Sequence, residues 1–194
     1  MQPKRAEIRI IDSKILSDDW YSLKKYSFDI QRRNGEWQRQ SREVYDRGNG
    51  ATLLLFNRNR KTVILTRQFR FPIFMNGHDG YLIETAAGLL DNMDPESRIK
   101  AEVEEETGFR LSKVQKVFEA YMSPGSVTEK LYFYIAEYDE GNRASAGGGI
   151  EAEGEDIEVL ELTLDAALAA VESGLIVDGK TIMLLYHVAL KGIL

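Results

Sequence analysis

Apolar and polar residues alternate along the first part of the chain, a pattern that is typical of half-buried strands. It predicts antiparallel strands at 6–16, 20–33 and 36–47. The dipeptide Asn34-Gly35 separates the last two and favours a tight hairpin, because both residues tolerate positive φ. We therefore expect a small antiparallel β subdomain at 1–47, followed by a larger domain at 48–194.

The larger domain begins with two apolar runs, the second of them rich in β-branched residues, which predict core strands at 51–56 and 61–69. Further strands are predicted at 113–123, 129–139 and 157–164, and further helices at 165–174 and 178–194. The segment 142–156 combines glycines with acids, and we expect it to be a loop too polar to pack. Together these elements predict an α+β fold with a mixed sheet.

The segment 95–107 predicts a helix with clear ends. Asp94 is a favourable N-cap, and Gly108 suits the left-handed residue that follows the last helical turn. Ile99 and Val103 are spaced i,i+4 and form the apolar face that packs inwards. Side chains on the remaining faces of this helix are therefore held by an anchored element.

The helix places three like charges close together. At about 100° per residue, Glu102, Glu105 and Glu106 fall within an arc of about 100°, whereas Glu104 points elsewhere. Like charges at this spacing repel, so the arrangement requires an offsetting cation unless it is a solvated surface. Carboxylates are ligands for hard divalent ions such as magnesium, and a sequence with two histidines and no cysteine disfavours a zinc site.

Composition narrows the possible classes of protein. The chain has 194 residues, of which 43% are hydrophobic, enough for one sizeable core plus a smaller appendage. The absence of cysteine excludes disulfides, and we expect a cytoplasmic protein without a signal peptide or membrane span. The net charge of −6 disfavours a general nucleic-acid-binding role.

The spacing around the helix resembles the signature of the Nudix hydrolases. The Glu-x-x-Glu-Glu-x-Gly core stands at 102–108, and Gly88 matches the glycine that opens the motif. There are three departures: the spacer is one residue short, Asp94 replaces a glutamate, and Ala101 occupies the arginine position. Arg98 lies four residues before Glu102, and we expect an ion pair between them that substitutes in part for the missing arginine.

Other segments are similar to the GDP-mannose pyrophosphatase group within that family. These are SREVYDRGNGA, RQFR, YMSPGSVTEK, AGGGIEAEGEDIEV and DGKT. The ADP-ribose pyrophosphatases share the general layout and remain an alternative. A second alternative is a degenerate nucleotide-binding regulator, because the motif is altered at Ala101 and in its spacer.

The resemblance implies a Nudix α/β/α sandwich and a magnesium ion, with manganese as an alternative. The implied metal ligands are the Ala87 carbonyl, Glu102, Glu106 and Glu155, with Glu105 as an auxiliary ligand or water holder. It also implies a loop glutamate as the general base, which we assign to Glu155. Glu151 and Glu153 are rivals for this role, and a flexible acidic linker is the non-catalytic alternative.

The same resemblance implies a homodimer that hydrolyses a nucleotide sugar, with the N-terminal strands contributing to the substrate site. The implied substrate contacts are Trp20, Ser41, Arg42, Glu43, Arg70, Ala87, Gly88, Leu89, Glu106, Glu129, Gly154, Glu155 and Lys180. An arginine fork suits phosphate oxygens, which supports Arg70. Several of these residues have structural alternatives: core packing for Trp20, strand charges for Arg42, and a helix start for Lys180.

Overall fold

A computed structural model describes residues 6–194 of the chain. They form two compact units. The smaller unit extends to Asn49 and includes Ser123–Glu129, and the larger unit comprises Gly50–Met122 and Lys130–Leu194.

The smaller unit is a three-stranded antiparallel sheet in the order β1-β2-β3, with the strands at Ile8–Asp18, Ser22–Gln31 and Trp37–Asp46. The predicted hairpin is confirmed, because β2 and β3 pair without a register shift and Gly35 has φ 87° in their connection. Register shifts interrupt the pairing of β1 with β2 at two points. Strand β1 carries several exposed isoleucines, including Ile10, which is 68% exposed.

The larger unit is built on a mixed sheet, as predicted, and this sheet has seven strands. Its strands are β4 (Gly50–Asn57), β5 (Thr62–Phe69), β6 (Tyr81–Glu84), β7 (Ala86–Leu89), β8 (Gln115–Tyr121), β9 (Lys130–Glu137) and β10 (Glu158–Thr163). The main path runs β10-β5-β4-β9-β8, while β6 pairs with β5 and β7 pairs with β4. The pairing of β4 with β9 is parallel and the others are antiparallel.

Helices cover both faces of this sheet. They are α2 (Pro95–Thr107) on one face and α3 (Leu164–Glu172) with α4 (Gly179–Leu190) on the other, whereas the short helix α1 (Phe71–Phe74) buries no residue. Because successive strand side chains alternate, Leu53 and Leu55 of β4 join a core with α2, whereas Leu54 joins a second core with α3 and α4. Full burial of each leucine contributes roughly 1.5–3 kcal/mol, so α2 is held firmly against the sheet.

Among residues 6–194, none of the helices combines the length and the apolar composition required to cross a bilayer.

The structure also contains elements that the sequence pattern did not predict. Strands β6 and β7 have four residues each and are separated only by Thr85. Thr85 is buried, and its N–H donates to Oγ1 of Thr181 in α4 at 2.7 Å. These two short strands bring the segment 81–89 beside the glutamates of α2.

Candidate active site

Helix α2 has the ends that the sequence predicts. The Asp94 carboxylate accepts hydrogen bonds from the N–H groups of Glu96 and Ser97, and Gly108 adopts the left-handed conformation with φ 80°. Ile99 and Val103 are fully buried. The glutamates therefore project from a helix that is fixed at both ends and along its apolar face.

Two of the three clustered glutamates are buried. Glu102 is 6% exposed and Glu106 is 2% exposed, whereas Glu105 is half-buried. Glu104 points away, as predicted, and pairs with Arg110 through contacts of 2.9 and 2.6 Å. Burying two carboxylates on one helix face is unfavourable unless a cation offsets their charge.

Strand β7 lies directly against Glu102. A Cβ atom on Gly88 would stand 1.7 Å from Glu102 Oε1, so only glycine allows this approach. Gly88 is paired with Ala51 of the buried strand β4, which fixes its position. The predicted residues Ala87, Gly88 and Leu89 are thus brought beside the glutamates of α2.

The expected ion pair between Arg98 and Glu102 is confirmed. The Arg98 guanidinium contacts the Glu102 carboxylate, lies 3.8 Å from Glu105 Oε2, and donates from Nε to the Leu89 carbonyl at 3.1 Å. Arg98 therefore links α2 to the end of β7. Ala101 leaves the usual arginine position without a charge, and Arg98 acts from one helical turn earlier.

One arginine does not neutralise this acidic cluster. Burial raises the pKa of Glu102 to about 7, and the nearby charges of Glu105 and Glu155 add to this shift while Arg98 opposes it. Burial also raises the pKa of Glu106 well above its usual range, and the charge of Glu102 raises it further. Both carboxylates thus hold their protons more tightly than an exposed glutamate does.

The residues present fit a hard divalent cation. The buried Oε2 atom of Glu106 has no hydrogen-bond partner among the described residues, and carboxylate oxygens are the ligands that magnesium prefers. No three acidic or histidine side chains in the described part of the chain form a metal-binding group by themselves. A bound ion would therefore also need a backbone carbonyl or water as ligand, which is usual for magnesium.

The glycine-rich loop packs against the end of α2, contrary to the expectation that it is too polar to pack. The N–H groups of Gly148 and Gly149 donate to the carbonyls of Glu106 and Glu105 at 2.9 and 3.1 Å. Ala144 N–H donates to the Gly108 carbonyl at 2.7 Å. Backbone hydrogen bonds thus attach the loop to the helix without needing apolar side chains.

The loop also brings Glu155 near the end of α2, since a Cβ atom on Gly149 would stand 2.5 Å from Glu155 Oε2 and the Gly149 N–H donates to the Glu105 carbonyl. The negative charge of Glu155 adds to the rise in the pKa of both Glu102 and Glu106. Its Oε2 atom accepts a hydrogen bond from the Ile150 N–H at 2.8 Å. Gly154, the residue before it, has φ 78°. Glu151 is exposed, and the side chain of Glu153 lies outside the described part of the structure.

Arg70 and Lys180 are held together by Glu84, a residue that the sequence reasoning missed. The Arg70 guanidinium donates to both Glu84 oxygens at 2.8 and 3.1 Å, and Lys180 Nζ lies 2.5 Å from Oε2. Burial alone would raise the pKa of Glu84, but Lys180 and Arg70 outweigh it and hold that pKa below its usual value. The one sequence signal was a lone acid at the end of the apolar run YLIE.

The remaining predicted contacts lie in the smaller unit: Trp20, Ser41, Arg42, Glu43 and Glu129. Trp20 is 86% exposed and stacks on Tyr21, so it is not a core residue. Ser41 Oγ donates to the Tyr26 carbonyl at 3.1 Å. Glu129 lies 3.6 Å from Arg47.

Comparison with known proteins gives one consistent assignment. Residues 7–45 match the family described as the GDP-mannose pyrophosphatase NudK N-terminal domain. The chain is 56% identical over 188 residues to the GDP-mannose pyrophosphatase of Pectobacterium atrosepticum, covering 96% of each protein. It is 54% identical over 182 residues to the GDP-mannose pyrophosphatase of Citrobacter koseri. It is 56% identical over 181 residues to that of Salmonella typhimurium. Both matches cover 93% of this chain and 94% of the relative. The chain belongs to the GDP-mannose pyrophosphatase group of the Nudix hydrolases.

Proposed function

We propose that this protein hydrolyses the diphosphate bridge of GDP-mannose and releases GMP and mannose 1-phosphate. The observation that carries the proposal is the buried pair Glu102 and Glu106: Glu102 lies against the backbone of Gly88, and one oxygen of Glu106 has no hydrogen-bond partner among the described residues. The identity of 53–56% to proteins named GDP-mannose pyrophosphatase supports the substrate. We also infer that the sheet with helices on both faces is the Nudix α/β/α sandwich.

We propose that the resident ion is magnesium, with manganese as the alternative, and that Glu102, Glu106, Glu155 and the Ala87 carbonyl hold it. When bound, such an ion supplies charge neutralisation for the diphosphate and lowers the pKa of a coordinated water. Arg98 keeps the Glu102 carboxylate oriented, and Glu105 holds water or assists as a ligand.

Hydrolysis needs a group that accepts a proton from the attacking water, and we propose the carboxylate of Glu155. The hydrogen bond from Ile150 N–H fixes one of its oxygens, which orients the carboxylate. Water adds across the P–O–P bridge, so its oxygen bonds to one phosphorus while the bridging oxygen leaves on the other. Glu151 and Glu153 remain the alternatives for the base.

Binding of the diphosphate is proposed for Arg70 and Lys180, together with the backbone of Gly88, Leu89 and Gly154. An arginine side chain offers paired N–H donors that match phosphate oxygens. The contacts to the nucleotide are proposed for the smaller unit: Trp20, Ser41, Arg42, Glu43 and Glu129.

We further propose a homodimer that is formed through the N-terminal part, 1–47, while the part 48–194 carries the catalytic residues. Strand β1 supports this, because it pairs only with β2 in the described sheet and exposes isoleucines such as Ile10 and Ile15. Sedimentation as a monomer would contradict the dimer. A location in the cytoplasm stays a prediction from the sequence.

A panel of nucleotide sugars with product identification tests the proposed reaction. The expected result is magnesium-dependent release of GMP and mannose 1-phosphate, with higher kcat/KM for GDP-mannose than for any other substrate. Higher kcat/KM for ADP-ribose would replace the substrate assignment. If no substrate in the panel yields a nucleoside monophosphate, the protein is a binding module instead.

A further inference from the structure

Glu84 is a buried carboxylate that makes no contribution to the proposed ion site. It ends β6 and is 2% exposed. The next residue, Thr85, bonds to Thr181 of α4, and this contact places the neighbouring residues Glu84 and Lys180 side by side. The backbone arrangement thus fixes an acid from one segment against a cation from another.

The cluster around Glu84 is balanced in charge. Two cations, Arg70 and Lys180, face two carboxylates, Glu84 and Asp178, and Asp178 lies 3.0 Å from Lys180 Nζ. Asp178 also accepts hydrogen bonds from the N–H and hydroxyl of Thr181, which anchors the cluster at the start of α4. A carboxylate so enclosed cannot itself meet a ligand, but it can orient the groups that do.

Exposure differs strongly within the cluster. The Arg70 side chain is 40% exposed, against 13% for Lys180 and 2% for Glu84. Glu84 engages Nε and Nη2 of the guanidinium, so three of the five N–H donors of Arg70 are left for another anion. The cluster therefore presents one oriented guanidinium face to solvent.

That guanidinium face belongs to the same site as the glutamates of α2. Only Thr85 separates Glu84 from β7, whose Gly88 lies against Glu102, and the charge of Arg70 also opposes the rise in the pKa of Glu106. A diphosphate that bridges a cation at Glu106 and the guanidinium of Arg70 would be held at both ends.

We infer that Glu84 is a positioning residue, which orients Arg70 and Lys180 toward the diphosphate and partly neutralises them. This inference rests on the proposed function. Holding the guanidinium in one orientation favours the transition state, whereas neutralising the two cations weakens binding of the ground state.

The substitution Glu84→Gln separates these two effects. Its amide places N–H donors against Arg70 or Lys180, so their orientation is lost while the site gains one unit of positive charge. We expect kcat for GDP-mannose to fall at least 10-fold, and both KM and the Kd for inorganic pyrophosphate to decrease about 3-fold. An unchanged kcat, or weaker binding of pyrophosphate, would overturn the inference, because a carboxylate with a merely structural role would not tighten binding.

A double-variant comparison tests whether Glu84 acts through Arg70. In an Arg70→Ala background, Glu84→Gln is expected to change kcat and the Kd for pyrophosphate clearly less than it does in the wild type, because only its action through Lys180 remains. Equal effects of Glu84→Gln in both backgrounds would overturn the inference. The control is Glu161→Gln, which removes a carboxylate bonded to Arg60 near the opposite end of β5 and should leave kcat and KM unchanged.

Folding and activity are checked separately. If Glu84→Gln fails to fold by circular dichroism, Glu84→Gln/Lys180→Met removes one charge of each sign and keeps the cluster balanced. A loss of kcat beyond that of Lys180→Met alone is expected, because Arg70 also loses its acidic partner, and equal kcat in these two variants would overturn the inference. If the wild-type protein does not cleave GDP-mannose, the proposed function fails, while the pyrophosphate measurements still decide the role of Glu84.

Discussion

The larger unit buries carboxylates in two contrasting environments. Glu84 is bonded to an arginine and a lysine, and these cations hold its pKa below the usual value. Glu106 is buried to the same extent, 2% exposed, yet one of its oxygens has no partner and its pKa is raised well above the usual range. Burial alone therefore does not define the role of an acid: the protein supplies Glu84 with cations, and we propose that Glu106 takes its cation from solution.

The largest expected effect is a loss of kcat when the carboxylate of Glu106 is replaced. Glu106→Gln should lower kcat by roughly 10³-fold, since several kcal/mol of charge stabilisation depend on the ion that we propose it holds. The metal-free protein should be as stable as wild type or more so, because a buried like charge is lost. By contrast, Glu84→Gln should destabilise the protein by about 2 kcal/mol, because Arg70 loses its acidic partner and the buried Lys180 keeps only Asp178. Thermal denaturation of both variants without divalent ions compares their stabilities with that of the wild type. A large destabilisation by Glu106→Gln would contradict the proposed difference between Glu84 and Glu106.

A second variant tests how closely the backbone approaches the acidic pair. Gly88→Ala places a methyl group 1.7 Å from Glu102 Oε1, so the carboxylate must move and kcat should fall roughly 100-fold. Gly125→Ala is the control, because a Cβ at that glycine meets no atom within 4 Å. Wild-type kcat for Gly88→Ala would show that the position of Glu102 is unimportant.

The dependence of stability on pH sharpens the contrast further. The pKa of Glu102 is about 7 in the folded protein against 4.5 in a free side chain, so the folded state binds this proton more tightly. The resulting stabilisation is complete below pH 4.5 and is lost as the pH rises through 7, a change on the order of 2–3 kcal/mol. Chemical denaturation of the metal-free protein at several pH values measures this loss of stability. Saturating magnesium should abolish the decline, and stability that increases over this range would contradict the account.

Much of the acidic site could be predicted from the sequence because its helix is marked at both ends. Asp94 and Gly108 define α2, and Ile99 with Val103 defines its buried face. The spacing of the glutamates then places them on one side of the helix. Each of these signals is local, so no knowledge of distant contacts was needed.

The rest depends on contacts that local patterns do not contain. Strands β6 and β7 are too short to show a periodicity, and Glu84 has no acidic neighbour at helical or strand spacing. Its partner Lys180 is distant in the sequence and meets it only through the contact of Thr85 with α4. The loop at 142–156 packs through backbone N–H groups, which the pattern of apolar side chains cannot reveal.

The smallest expected effect on kcat comes from Arg98, whose guanidinium contacts the buried carboxylate of Glu102. Arg98→Ala removes the contact with Glu102, so kcat should fall about 10-fold and the affinity for magnesium should change, because the carboxylate loses its orientation. Lys100→Ala breaks a comparable i,i+4 pair with Glu96 on the surface and serves as the control. Equal kcat values for the two variants would show that Arg98 is only a surface charge.

Direct measurement of ion binding tests the central claim. Magnesium is titrated calorimetrically into metal-free wild-type protein and into Glu106→Gln at pH 6 and pH 8. The account predicts that the wild type binds magnesium more tightly at pH 8 than at pH 6, because the ion must displace protons held by the buried pair. It also predicts that binding is lost in the variant, which lacks the Glu106 carboxylate. Binding of equal affinity in Glu106→Gln, or no binding by the wild type at either pH, would contradict it.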